Sequence, residues 1–245
     1  AIRGLLSGST LVDSNAKVQD AYSLRCVPQV HGAIKDSIRF VKEIIEREIN
    51  AVTDNPLIFE PGKALSGGNF HGEPIGLAMD FLSISLSELG AISERRTFRL
   101  TDQKLNEGLP GMLVENEKSA GINSGLMLPQ YAAAALVLEN QTLATPDSIR
   151  SLPTSANQED HNANSMTAAR HAAEILENVR QILSIEIYTA VQAIDLRLME
   201  RPGKLGYGTQ NIYNKIRAKL IHHPEDALWG PEIDLVNAMI QEQIL

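Results

Sequence analysis

From Pro28 to Ile49 the apolar residues Val30, Ile34, Ile38, Val41, Ile45 and Ile49 recur every three or four positions, with Lys35, Asp36, Lys42, Glu43 and Glu46 between them. That spacing predicts an amphipathic helix. It ends ahead of Asp54-Asn55-Pro56, where the residue before proline is pushed out of the α region and Asp and Asn favour a turn. A loop is expected from there to Gly72, containing Pro61-Gly62 and Ser66-Gly67-Gly68. A second helix is predicted from Pro74 to about Leu100, with the proline tolerated in its first turn and apolar residues on most faces, as in the middle of a bundle. After a loop from about Thr101 to Ala120, a third buried helix is expected from near Asn123 to Ala144. The fourth, from about Asn162 to Leu198, is the longest and would extend on the order of 50 Å. Two shorter helices, about Thr209 to Ile221 and Pro231 to Ile244, flank His222-His223-Pro224. No alternating strand pattern and no fixed-period repeat is visible.

These elements predict an all-α fold, a bundle of long helices whose apolar faces are completed by other subunits. With 245 residues and 43% hydrophobic content the chain can bury a real core. A net charge of -8 without a basic block argues against a nucleic-acid surface or a polybasic membrane anchor, leaving small solutes or proteins as partners. Cys26 is the single cysteine, so no internal disulfide and no Cys-pair zinc site can form, which fits a reducing, cytoplasmic location. No uninterrupted apolar run approaches the roughly 18 to 20 residues of a membrane span. The chain begins at Ala1 without an initiator Met, as expected of a fragment or processed piece.

Three polar segments stand out against the apolar helices. Ser151-Leu-Pro-Thr-Ser-Ala-Asn-Gln-Glu-Asp-His161 lies between two apolar stretches, at the edge of the core or inside it, where each polar atom needs a partner. Glu159 is its candidate base, placed for a burial-raised pKa. The bland alternative makes the segment a helix start, with Asn157 or Asp160 capping the long helix. In Val18-Gln-Asp-Ala-Tyr-Ser-Leu-Arg-Cys26, Arg25 offers a planar fork suited to a carboxylate, and Tyr22 would share its face in a helix; a structural ion pair is the competing reading. In Leu65-Ser-Gly-Gly-Asn-Phe-His-Gly-Glu73, His71 and Glu73 look like two metal ligands without a third at a recognisable spacing, so no metal is expected; a loop packed on a neighbouring subunit is the alternative. His222-His223 reads as solvated, because no acidic or sulfur partner lies at ligand spacing.

Together these segments resemble the aromatic amino acid lyases, in their histidine ammonia-lyase branch. The resemblance rests on Val18 to Cys26, Thr53-Asp-Asn-Pro-Leu-Ile-Phe59, Ser66 to Glu73, Ser93-Glu-Arg-Arg96, Gly121-Ile-Asn-Ser-Gly125 and Ser151 to His161, in family order. It implies an all-α homotetramer whose active sites draw on several subunits and which eliminates ammonia from an amino acid without an external cofactor. The electrophile of the family is a methylidene-imidazolone made from an internal Ala-Ser-Gly. Carried over by motif, Arg25 would grip the substrate carboxylate, Tyr22 would sit beside the electrophile and assist removal of the proton or amine, and Gln19 would support that group. Asn55 would help orient the carboxylate, Phe70 would shape the pocket, and Glu159, with Gln158 beside it, would meet the substrate amine or imidazole.

No Ala-Ser-Gly occurs in these residues, so the resemblance implies the C-terminal portion of one helical lyase domain, over residues 1–245, with the electrophile in an N-terminal half. The substrate implied is L-histidine, giving urocanate in histidine catabolism, because Glu159 stands where phenylalanine-specific members are expected to carry Gln. A tyrosine or phenylalanine lyase, an aminomutase of the same scaffold and a non-catalytic helical module are the alternatives. After His161 the chain runs Asn-Ala-Asn-Ser-Met166, a departure from the Val-Ser-Met type of ending expected of a histidine-specific member.

Overall fold

A computed structural model describes residues 1–12 and 18–245. The predicted helices form with small shifts at their ends. In chain order the helices are α1 (Ile2–Leu5) and α2 (Tyr22–Arg25), two single turns ahead of the six predicted ones, then α3 (Val27–Ile49), α4 (Glu73–Thr101), α5 (Met127–Leu143), α6 (Ser165–Glu200), α7 (Tyr207–Arg217) and α8 (Trp229–Gln241). Residues 102–126 are mostly irregular, with short 3-10 turns at Gly111–Leu113 and Glu117–Ser119. One departure is a hairpin where a loop was expected: β1 (Leu57–Glu60) pairs antiparallel with β2 (Lys63–Leu65) around Pro61-Gly62. Both strands are almost wholly exposed, so no buried face imposed the alternation that reveals a strand in a sequence. Gly62, at φ +82°, supplies the left-handed turn residue.

The chain divides into two compact units. The first comprises Ala1–Val27, Gly90–Val137 and Arg180–Leu245. Its core joins Leu109, Leu126, Ile182, Ile185, Tyr188, Ile216, Val236 and Met239. The second unit comprises Pro28–Leu89 and Leu138–Val179. Its core is built from Val41, Ala78, Met79, Ala168 and Ala172, and its small alanines let helix backbones approach closely. Gly76 sits at such an approach, since a Cβ there would stand 2.8 Å from the Ala163 carbonyl oxygen.

An 18-residue window of α4 has a mean hydropathy of 1.5, which is long and apolar enough to cross a membrane, although polar residues interrupt every apolar run in it. Its environment is that of a core helix. Ala78, Met79 and Ile92 are buried on it, and so are Asp80, Ser83, Ser85 and Ser93. Asp80 accepts backbone N–H bonds from Asp147 and Ser148, both at 3.0 Å, so its charge is paired inside the protein.

Much apolar surface stays uncovered. Leu128, Tyr131 and Leu138 on α5 and Met166 on α6 are each more than half exposed. Apolar area on this scale is what an interaction face looks like, in keeping with the expectation that further polypeptide completes these helices.

In the first unit the Tyr188 hydroxyl donates to Glu232 at 2.5 Å while the ring is buried. Burial first, then the bond to Glu232 and its negative charge, raise the Tyr188 pKa well above the ordinary phenol value. A folded-state pKa above the unfolded one means that the stabilisation is complete below about pH 10 and is lost as pH rises further. Between about pH 10 and 12, urea unfolding of the Tyr188→Phe variant should therefore lose less stability than the parent, by up to about 1.4 kcal/mol per pH unit. Parallel curves for the two proteins would contradict this.

Candidate active site

In the first unit α2 is a single turn that places Tyr22 and Arg25 three residues apart on one face. The Arg25 guanidinium lies 4.6 Å from the centroid of the Tyr22 ring, a cation–π contact that holds both side chains. Among the described residues, this contact rather than the ion pair considered for Arg25 is what is found. Both residues are exposed, Tyr22 by 70%, as is Gln19 just ahead of the turn. The turn is tied down by the Ser93-Glu-Arg-Arg96 motif of α4. Arg96 makes a two-pronged pair with Glu186 of α6, its second prong at 2.7 Å, and reaches the Ser23 carbonyl at 3.5 Å. Ser93 donates to the same carboxylate at 2.5 Å. Glu94, almost fully buried, accepts from Gln130 at 2.9 Å. The motif's polar residues thus lock helices and the Tyr22 turn together.

The Gly121–Gly125 motif is held in the same unit by Asp226, whose two carboxylate oxygens accept the Ser124 and Gly125 amides at 2.7 Å each. Gly125 must be glycine. Its φ is +56°, and a Cβ would come within 2.3 Å of the Met112 carbonyl oxygen.

The other four candidates lie in the second unit. Asn55 uses its side-chain oxygen to accept from Ser66 Oγ at 3.1 Å and the Gly67 amide at 2.9 Å. Its Nδ2 donors are left for another group, and a carboxylate suits a donor. Phe70, 53% exposed, follows in the loop thus clasped. Next to it, His71 Nε2 lies 2.9 Å from the His161 carbonyl oxygen, and the two imidazoles stack with centroids 5.9 Å apart and an interplanar angle of 6°. That contact joins the Phe70 loop to the run carrying Gln158 and Glu159.

The Ser151–His161 run differs from its expected setting. Residues 152–161 are exposed, Glu159 included, so the burial expected around Glu159 is not provided within this chain. Neither Asn157 nor Asp160 caps α6, which starts at Ser165; the first helical bond runs from the Ala168 amide to the Asn164 carbonyl oxygen at 3.1 Å. The run instead satisfies its polar groups internally. The Asn162 amide donates to Ser151 Oγ at 2.7 Å, and its Nδ2 reaches the carbonyl oxygens of Leu152 and Glu159 and the Thr154 hydroxyl. Asn164 donates to the carbonyl oxygens of Asp147 and Arg150.

Within the run, Ser155, Ala156 and Asn157 all have positive φ, at 52°, 52° and 75°. They form a left-handed turn closed by bonds from the Asn157 amide to Thr154 and from the Gln158 amide to Ser155, both at 3.0 Å. Left-handed backbone costs roughly 1–2 kcal/mol for a residue with a Cβ, and Asn tolerates it best. Thr154 and Glu159 face each other across the turn as an isolated antiparallel bridge. The sequence signalled neither this turn nor Thr154, since left-handed backbone is usually announced by glycine and the segment has none.

A second difference concerns His222-His223, which was expected to be solvated. His222 lies between Asp195, 3.1 Å from Nδ1, and Glu115, 2.6 Å from Nε2; His223 Nε2 is 2.6 Å from Glu232. Asp195 and Glu115 come from positions 27 and 107 residues away in the chain, where spacing could not reveal them, while Glu232 reaches back nine residues from α8. Among the described residues, no group of three or more potential metal ligands is gathered, and His71 spends Nε2 on the His161 carbonyl oxygen.

The family profile "Aromatic amino acid lyase" matches residues 1–218. The chain belongs to the aromatic amino acid lyase family, and its helical fold is that of the family. Among its relatives, the histidine ammonia-lyase of Geobacillus kaustophilus is 48% identical over 244 residues, covering 99% of this chain and 47% of the relative. A crystal structure of histidine ammonia-lyase from Trypanosoma cruzi superimposes with a TM-score of 0.87 at 40% identity, covering 99% of this chain and 45% of that one. A tyrosine aminomutase from Streptomyces globisporus superimposes with a TM-score of 0.85 at 35% identity, covering 96% of this chain and 44% of that one. The chain thus spans about half the length of the curated relatives it matches.

Glycine adopts left-handed backbone without the Cβ penalty but gives up more entropy on folding. Ala156→Gly should accordingly raise stability by about 0.5–1 kcal/mol, read from the urea midpoint. A loss of stability would mean that residue 156 does not populate the left-handed turn.

Proposed function

We propose that this chain is the substrate-orienting half of an ammonia-lyase that converts L-histidine to urocanate and ammonia. The observation that carries the reading is the set of seven exposed side chains brought forward by the motifs, with Tyr22, Arg25, Asn55 and Glu159 each held by a neighbour, in a chain 48% identical to a histidine ammonia-lyase. An elimination site must exclude water, so exposed but ordered groups suit a site closed by further polypeptide. A homotetramer, or its split equivalent, in the cytoplasm is proposed with it.

Elimination breaks the bond to the amine and removes a proton from the neighbouring unactivated carbon. A methylidene-imidazolone, formed from an Ala-Ser-Gly outside these residues, would supply the electrophile that draws electrons from the amine or ring. The residues present fit such a partner. Tyr22 is held by Arg25 and stays exposed, and Gln19, three residues earlier, is exposed as well. Tyr22 is assigned to proton or amine removal and Gln19 to hydrogen-bonded support. Arg25 is assigned to gripping the substrate carboxylate through its fork, and Asn55 to orienting a carboxylate with its Nδ2 donors. Phe70 offers a flat apolar wall to the ring. Glu159 accepts from the imidazole N–H or the ammonium, with Gln158 beside it; a carboxylate matches a ring that donates, whereas a phenyl ring donates nothing.

Co-expression of this chain with the Ala-Ser-Gly-bearing half of the Geobacillus relative should yield an enzyme that forms urocanate from histidine, followed by its absorbance. Glu159→Gln should lower kcat/KM for histidine by about 100-fold or more. Arg25→Leu should cost about 1,000-fold, because orientation of the carboxylate is lost. Activity on tyrosine in place of histidine would overturn the substrate assignment, and an unchanged rate in both variants would overturn the site.

A further inference from the structure

Glu159 is exposed, and a glutamate free in solvent samples many rotamers that binding would have to freeze. In this chain one residue restrains it. The Thr154 hydroxyl donates to Glu159 Oε2 at 2.8 Å. The backbones of the same two residues are joined in both directions, from the Thr154 amide to the Glu159 carbonyl oxygen at 2.9 Å and from the Glu159 amide to that of Thr154 at 3.3 Å. Asn162 Nδ2 donates to Thr154 Oγ1 at 3.3 Å, which fills an acceptor position on the hydroxyl and directs its hydrogen to the carboxylate. Oε1 is then the oxygen with its lone pairs left for a substrate N–H. The left-handed turn of Ser155, Ala156 and Asn157 closes the bridge, and backbone in that region persists only where its surroundings enforce it.

We infer that Thr154 is a positioning residue: its hydroxyl orients the Glu159 carboxylate toward the substrate, and the left-handed turn holds the two in register. The inference rests on the proposed role of Glu159 and adds a residue that never needs to touch the substrate. It also gives the turn a purpose, since a relaxed loop would let the pair drift apart.

A double-mutant cycle in the reconstituted holoenzyme tests it, with kcat and KM for histidine as readouts and the thermal midpoint as a check on folding. Thr154→Val keeps the shape and removes the hydroxyl; it should lower kcat/KM about tenfold, the scale of one hydrogen bond to a charged group. Thr154→Ala should reproduce that loss without placing a methyl beside the carboxylate, and Thr154→Ser should recover the parent value within about twofold. On a Glu159→Gln background, Thr154→Val should add less than about a further twofold loss, because both substitutions act through one group. Parent-like kinetics in Thr154→Val and Thr154→Ala, or the same tenfold loss with and without Glu159, would overturn the inference while leaving the role of Glu159 intact. Unchanged histidine turnover in Glu159→Gln alone would remove the underlying assignment, and this proposal with it.

Discussion

A carboxylate buried against a helix must find donors, and in this chain that requirement decides where the loops go. Asp80 on α4 takes the amides of Asp147 and Ser148, fixing the backbone just before the Ser151–His161 run. Glu186 on α6 takes Ser93 and Arg96, and Arg96 extends to the carbonyl oxygen of Ser23 beneath the Tyr22–Arg25 turn. Asp195, one helical stretch further along α6, gathers Tyr213, Arg217 and His222. Removing one partner from such a group leaves a charge without compensation, at a cost of about 3–5 kcal/mol. The polar sites inside the helices are therefore the anchors of the segments that carry the candidate site residues.

Those segments are ordered without being covered. Alternative resting places for polar side chains, solvent or a buried pocket, would leave them mobile or unreachable. Here Asn55 clasps one loop, the stacked His71 and His161 tie that loop to the polar run, and Asn162 draws the run closed on itself. Preorganisation of this kind lets binding energy go into orienting a substrate rather than into ordering the protein. It agrees with a chain that spans about half of its relatives and leaves large apolar residues on α5 and α6 for other surfaces to cover.

The six longer helices were legible because burial writes its period into the sequence; α3 shows this most plainly, with Ile34 and Val41 at its core, whereas the single-turn α1 and α2 bury no residue. The Tyr22–Arg25 pair was legible for a related reason, a spacing of three on a helical turn. The β1–β2 hairpin was not, since its exposed residues are under no such demand. Nor was the setting of Ser151–His161. Polar residues between apolar helices fit an interior lined with partners, but they fit equally an exposed run that bonds to itself, and only the positions of Thr154 and Asn162 decide between them. The carboxylates around His222 escaped notice because Glu115 and Asp195 approach from far along the chain.

We propose that Tyr22 and Arg25 of the first unit, and Asn55 and Glu159 of the second, each meet a histidine substrate in the assembled enzyme. A crystal structure of the reconstituted enzyme with a bound, non-reacting histidine analogue tests that claim most directly. The carboxylate of a bound analogue should lie within hydrogen-bond distance of Arg25, and the amine or imidazole of a bound analogue within hydrogen-bond distance of Glu159. A ligand that meets one group while the other faces solvent would contradict it.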